Sequence, residues 1–138
     1  MARILLVEDV LDIGAYEASL LEARGHEVMI CRGTPQPFGR CPLMHDGHCA
    51  VADWADLLLF SAGLESPVGS QPYRGAALLR RYRRHPRYGS LPCVVVALAD
   101  PGPLPGSGPV RFVGKFSPAR RVVAAVEGLL TPVGGRIR

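Results

Sequence analysis

A single α/β domain built around a five-stranded parallel sheet is what this sequence predicts, on three observations. Near-continuous apolar runs recur at Arg3–Val7, Asp56–Phe60 and Leu91–Leu98, the pattern of strands buried on both faces. Strand, helix and strand fill about the first 30 residues, which is a βαβ start. The 138 residues can bury a core without staples, and no linker divides them, so residues 1–131 read as one domain with a short tail at 132–138.

Each element follows in order. Arg3–Val7 is a strand that delivers Glu8 and Asp9 to its carboxyl end. From Leu11 to Arg24, apolar residues at Leu11, Ala15, Ala18, Leu20 and Leu21 recur at helical spacing, and Gly25 supplies the stop. His26–Cys31, carrying Val28 and Ile30, is the second strand. Residues 32–52 hold Gly33, Pro35, Pro37, Gly39, Pro42 and Gly47, which forbid a long helix where the alternation would place one.

Asp56–Phe60 is the central strand, and Ser61-Ala62-Gly63 stands at its carboxyl tip, where open α/β sheets place their functional crevice. Tyr73–His85 is helical, with Ala77, Leu78, Leu79 and Tyr82 facing inward and Arg80, Arg81, Arg83 and Arg84 facing away. Leu91–Leu98 and Val110–Val113 are β-branched strands, joined by a Pro/Gly-rich stretch that cannot be a helix. The last helix, Pro118–Leu130, takes Ser117 as its N-cap and packs Val122, Val123, Val126 and Leu129 or Leu130.

Composition narrows the class. No stretch reaches the roughly 18–20 apolar residues of a membrane span, and acids follow the first apolar run too early for a signal peptide, so the expected location is the cytoplasm. The formal charge of +4 comes almost wholly from arginine, and Lys115 is the only lysine. Such an excess permits nucleic-acid contact without arguing for it.

Four features at the strand ends form a pattern. Glu8 and Asp9 follow the first strand, Gly69 lies eight residues past Ser61, Leu91-Pro92 precede the fourth strand, and Lys115 follows the fifth. Over roughly residues 2–130 this order resembles the receiver domain of bacterial response regulators. The resemblance implies a doubly wound sheet of order 2-1-3-4-5, here with the second and fourth helices reduced to loops. It also implies a crevice in which an acid pair and an aspartate bind Mg²⁺, and in which the aspartate takes a phosphoryl group that a Ser or Thr and the lysine contact.

Mapped onto this chain, the crevice is Glu8, Asp9, Ser61, Ala97 and Lys115, with a hydroxyl at the acceptor position and a methyl at the Ser/Thr position. A serine lacks the carboxylate's charge and is a poor nucleophile without a base. Asp56 cannot substitute, because five strand residues at about 3.3 Å each put it at the opposite edge of the sheet. Asp100, just past the fourth strand, could approach the crevice. The expectation is a degenerate receiver in which Lys115 pairs with Glu8 or Asp9, or in which those residues keep a residual ion site.

Two other segments carry chemistry. Cys31, Cys41, His45, His48 and Cys49 gather thiols and imidazoles that suit Zn²⁺, although the spacing matches no familiar finger; as an alternative Cys41 and Cys49 are small buried hydrophobes, or redox-active thiols. Arg80, Arg81, Arg83, Arg84 and Arg87 could contact phosphates, but a solvated helix face explains them more simply, and a nucleic-acid partner is not expected.

The function expected is that of a stand-alone, receiver-like signalling protein that binds protein partners without phosphotransfer. It would be no enzyme and require no cofactor, with Mg²⁺ in the acidic crevice or Zn²⁺ at the Cys/His segment as the two ions the residues admit. The alternative is a Zn²⁺- or redox-responsive module at residues 31–49. With two helices missing from one face of the sheet, that face, carrying Tyr73–His85, is expected to meet a protein partner or a second copy of the chain.

Overall fold

The computed structural model describes residues 1–32, 41–69, 71 and 73–131. Its five strands are β1 (Arg3–Val7), β2 (Glu27–Cys31), β3 (Leu57–Phe60), β4 (Cys93–Ala97) and β5 (Val110–Gly114). They form one parallel sheet in the order β2-β1-β3-β4-β5, the order that the resemblance implies. β3 lies third of five, and all four of its residues are buried.

Side chains alternate across the sheet and divide the core in two. Ile4, Leu6, Leu57, Leu59, Val94 and Val96 face α1 (Leu11–Glu22) and α5 (Ala119–Leu130). Leu5, Val7, Leu58, Phe60, Cys93 and Val95 face the other side, where α4 (Gly75–Arg84) packs. Each fully buried Leu or Val side chain contributes about 1.5–3 kcal/mol relative to exposure, and a parallel sheet gains this on both faces. No helix among the described residues is long and apolar enough to cross a membrane.

The segment between β2 and β3 holds two one-turn helices, α2 (Pro42–Asp46) and α3 (Ala50–Trp54), where the sequence was expected to stay irregular. Pro42 and Gly47, taken as breakers, are the start and stop of α2. Proline at the first position loses an N–H that has no partner there anyway, and Gly47 closes the helix at φ 77°, a left-handed conformation that a Cβ disfavours. No long helix forms there, nor any helix in the described β4–β5 connection. Gly33, Pro35, Pro37 and Gly39, and the tail expected from residue 132, lie outside the described residues.

Several side-chain roles differ from expectation. Ser117 does not cap α5; Pro118 occupies the cap position and no side chain bonds there. Arg83, expected to face solvent, is 1% exposed, while Ala77, expected inside, is exposed. The Arg83 guanidinium donates from Nε to the Pro105 carbonyl (2.9 Å), and from its terminal nitrogens to those of Leu91 (3.0 Å) and Gly108 (2.7 Å). It thereby ties the helix-free β4–β5 connection to α4.

Gly106 makes that approach feasible, since it adopts φ 95° and a Cβ there would lie 2.6 Å from the Gly89 carbonyl oxygen and 2.8 Å from that of Arg83. Beside this joint, a short 3-10 turn (Tyr88–Ser90) joins α4 to α3. The Tyr88 hydroxyl donates to Asp53 (2.8 Å) or to the Cys49 carbonyl (2.9 Å), and Arg87 bonds the Asp53 carboxylate and carbonyl.

Cys41, Leu43, Cys49 and Ala52 from the α2–α3 segment, with Leu104 of the β4–β5 connection, thus join the core on the α4 face. The chain's own loops cover the face that was expected to be thin, which removes the argument that a second copy must cover it. Arg83→Leu is expected to destabilise the protein by about 2–4 kcal/mol in urea titration, because three carbonyls lose a charged donor in a dry site. A loss below about 0.5 kcal/mol would show that the connection is held by other means.

Candidate functional site

Glu8, Ser61 and Lys115 reach one crevice by strand alternation. Ile4 and Leu6 face α1 and α5, so Glu8, two residues on, does too; Ser61 follows Leu57 and Leu59, and Lys115 follows Val113, in the same way. β1 and β3 are in register up to Val7 opposite Phe60, and the Ser61 N–H donates to the Val7 carbonyl at 2.8 Å. The Lys115 N–H donates to the Ala97 carbonyl at 2.8 Å, which holds the tip of β5 against β4.

The Glu8 side chain is 1% exposed and its two oxygens already have donors. Ser61 donates its hydroxyl proton to Oε1 at 3.0 Å, and the Val10 N–H donates to Oε2 at 3.2 Å. Burial, the largest influence, raises the carboxyl above its ordinary range, and Asp9 pushes the same way. The two donors and the charge of Lys115 oppose the shift. The expected ion pair does not form, for Lys115 comes within contact distance of neither Glu8 nor Asp9.

Glu17 belongs to this crevice and was not singled out from sequence. It is 8% exposed on α1, and its Oε1 has no hydrogen-bond partner. Ser61 has one proton to give, and that proton is on the Glu8 bond. Burial first, and then the charge of Glu8, raise the Glu17 carboxyl to about 7, against the pull of Ser61 and Lys115. The signal was there in the spacing: Gly14, Glu17, Ala18 and Leu21 are the buried positions of α1, the i, i+3, i+4, i+7 pattern of a core-facing stripe.

These residues do not fit the Mg²⁺ ion that the resemblance implies. A hard cation needs several oxygen ligands, preferably ionised. Here Glu8 is fully engaged and biased toward its neutral form, and Ser61 brings no charge. Among the described residues no three His, Cys, Asp or Glu side chains converge well enough to hold a metal.

At the tips of β4 and β5, Ala97 and Lys115 line a cavity of about 440 Å³ with Gly63–Ser66 and Leu98–Pro101. Asp100 reaches its rim, as the sequence suggested, but its Oδ1 accepts the Gly102 N–H at 2.8 Å and so shapes the loop. Asp56 is at the far edge, bonded to the Arg3 N–H at 2.9 Å and paired with the Arg3 guanidinium at 3.3 Å.

The thiols and imidazoles of residues 31–49 do not assemble into the Zn²⁺ site that the sequence admitted. Cys41 and Cys49 are buried at the starts of α2 and α3, His48 pairs with Asp53, and His45 is exposed beside Asp46. None of the chain's four cysteines is in a disulfide. Burial, the leading influence, raises the Cys49 thiol above its ordinary range and that of Cys93 to about 12, which suppresses the reactive thiolate.

No protein-family model and no curated protein matches the sequence. Its fold, however, is similar to that of solved receiver domains. The signal receiver domain of a histidine kinase from Syntrophus aciditrophicus matches with TM-score 0.66 at 19% identity, over 99% of this chain and 96% of that one. The chemotaxis response regulator of Vibrio cholerae matches with TM-score 0.64 at 15% identity, over 94% and 98%. The response regulator TrrA of Thermotoga maritima, solved in complex with Mg²⁺ and BeF, matches with TM-score 0.64 at 17% identity, over 94% and 99%. The class that the fold defines is therefore the receiver-type α/β sheet. At these identities the likeness is one of architecture.

Glu17 sets a pH dependence whose sign follows from its raised value. The folded state holds the proton up to about pH 7, whereas the unfolded chain releases it near 4.5. The stability this proton contributes is complete below pH 4.5 and is lost as pH rises through 7. Glu17→Gln, which cannot ionise, is expected to gain about 1–3 kcal/mol over the parent near pH 8 and little near pH 4, measured by urea titration at both. A gain that is the same at both pH values would show that this carboxyl does not titrate with folding.

Proposed function

We propose that this chain is a receiver-like signalling protein that acts in the cytoplasm by binding protein partners, independently of phosphorylation. One observation carries the reading: the residue at the tip of β3 is Ser61, whose hydroxyl is buried and donated to Glu8. Phosphoryl transfer needs a nucleophile with a free electron pair aimed at the donor, a base or charge to activate it, and a cation to neutralise the incoming oxygens. Ser61 has no adjacent histidine, its nearest carboxyl is biased toward the neutral form, and the crevice suits no Mg²⁺ ion. Ala97 adds no hydroxyl to hold a phosphoryl oxygen.

The same argument speaks against enzymatic turnover at this crevice, since no nucleophile, base and oxyanion donor can be assembled around Ser61. What the fold retains is a rigid sheet that presents helices and loops, which suits a protein that recognises others. The likeness to receiver domains, several of them parts of kinases and response regulators, supports signalling as the setting.

Incubation with acetyl phosphate and Mg²⁺ is the direct test. Intact-mass spectrometry is expected to show an unchanged protein, under conditions that label a conventional receiver run beside it. A stoichiometric phosphoryl adduct mapped to Glu8, Asp9, Glu17 or Ser61 would overturn the reading.

A further inference from the structure

A groove of about 520 Å³ lies between α2 and the outer side of α4. Half of its lining is apolar, from the partly buried Met44, Tyr73 and Ala76 and the exposed Ala77. The other half is four exposed arginines: Arg74, Arg80, Arg81 and Arg84.

No Asp or Glu side chain of the chain pairs with these charges. All of its 12 Asp and Glu residues lie among the described residues, and none forms an ion pair with any of the four arginines. Arg74 donates to a backbone carbonyl, that of Glu65. The arrangement also works against α4: Arg80 with Arg84, and Arg81 with Arg84, are like charges at i,i+4 and i,i+3 spacing, which destabilise a helix. The helix dipole accounts for Arg81 and Arg84 in the last turn, but Arg80 lies before that turn and Arg74 sits at the N-cap, where a cation opposes the dipole. Helix formation therefore explains only part of the cluster.

We propose that this groove binds an acidic peptide segment of a partner protein, with carboxylates on the arginines and an aliphatic or aromatic side chain against Met44 and Ala76. Arginine forks bind carboxylates bidentately, so the rim offers direction as well as charge. The apolar half of the lining distinguishes this occupant from a nucleic acid, whose phosphodiester backbone gains nothing from methionine and alanine. α4 is 10 residues, about 15 Å, long, which matches a short segment and is a small footprint on a duplex. The proposal rests on the protein-binding reading given above and adds a surface and a partner chemistry to it.

A random peptide library displayed on phage, panned against the protein and counter-selected with the Arg80→Glu, Arg84→Glu double variant, tests it. The expected result is enrichment of sequences that place Asp or Glu beside a large apolar residue, with synthetic versions binding the parent at least ~10-fold more tightly than the variant and weakening in salt. Thermal melts check that the variant folds; should it not, Arg80→Gln with Arg84→Gln takes its place. No enrichment, enrichment without acids, or binding indifferent to the arginines would overturn the proposal and leave the phosphorylation-independent reading standing. Random duplex DNA that binds more tightly than the peptides with the same arginine dependence would also overturn it, in favour of nucleic acid. Binding that appears only after acetyl phosphate treatment would instead keep the surface and reject that reading.

Discussion

The buried guanidinium of Arg83 is the constraint on which the rest of this structure depends. A parallel sheet must be covered on both faces, and a helix normally does this because it satisfies its own backbone. The β4–β5 connection, rich in proline and glycine, cannot make a helix. It covers the sheet as irregular chain, whose carbonyls need donors from elsewhere. Arg83 supplies them to Pro105 and Gly108 on the connection and to Leu91 ahead of β4. A planar fork of five N–H groups meets three separated carbonyls from different atoms; a lysine ammonium would bring three donors on one nitrogen and a more strongly hydrated charge.

From that joint the order passes to the cysteine-containing segment. Tyr88, beside Arg83's end of α4, is fully buried, and its hydroxyl bonds Cys49 and Asp53 at the start and within the first turn of α3. His85 stacks on the Tyr88 ring at 3.7 Å, and Arg87 closes on Asp53. One helix therefore anchors both of the segments that replace regular helices. The arginines that serve as anchors, Arg83 and Arg87, leave Arg80, Arg81 and Arg84 turned outward over α2.

At the opposite face the crevice has exchanged charge for hydrogen bonding. Glu8, Glu17 and Ser61 bring two carboxyl groups to one hydroxyl proton, with the lysine ammonium too far away to pair. Burial pushes both carboxyls toward the protonated form, and the charge of Glu8 adds to the shift at Glu17. A neutral, hydrogen-bonded crevice of this kind has little use for a divalent cation. Its remaining influence on the protein is through α1, which carries Glu17 against the strand tips.

The sequence by itself determined the sheet. Continuous apolar runs at β1, β3 and β4 demand burial on both faces, and the motifs at the strand ends carry the resemblance that implies their order. The same reading placed Glu8, Ser61, Ala97 and Lys115 at the strand ends, because period-two alternation is a local property. Only the tertiary structure decided where long polar side chains go. Arg83 and Glu17 sit on helical faces whose depth depends on what packs across from them, and no local spacing states that a guanidinium will meet two carbonyls of a loop more than 20 residues away. The cysteines and histidines of residues 31–49 show the same limit in reverse: nearness along the chain suggested a shared ion, but two one-turn helices turn them to different partners.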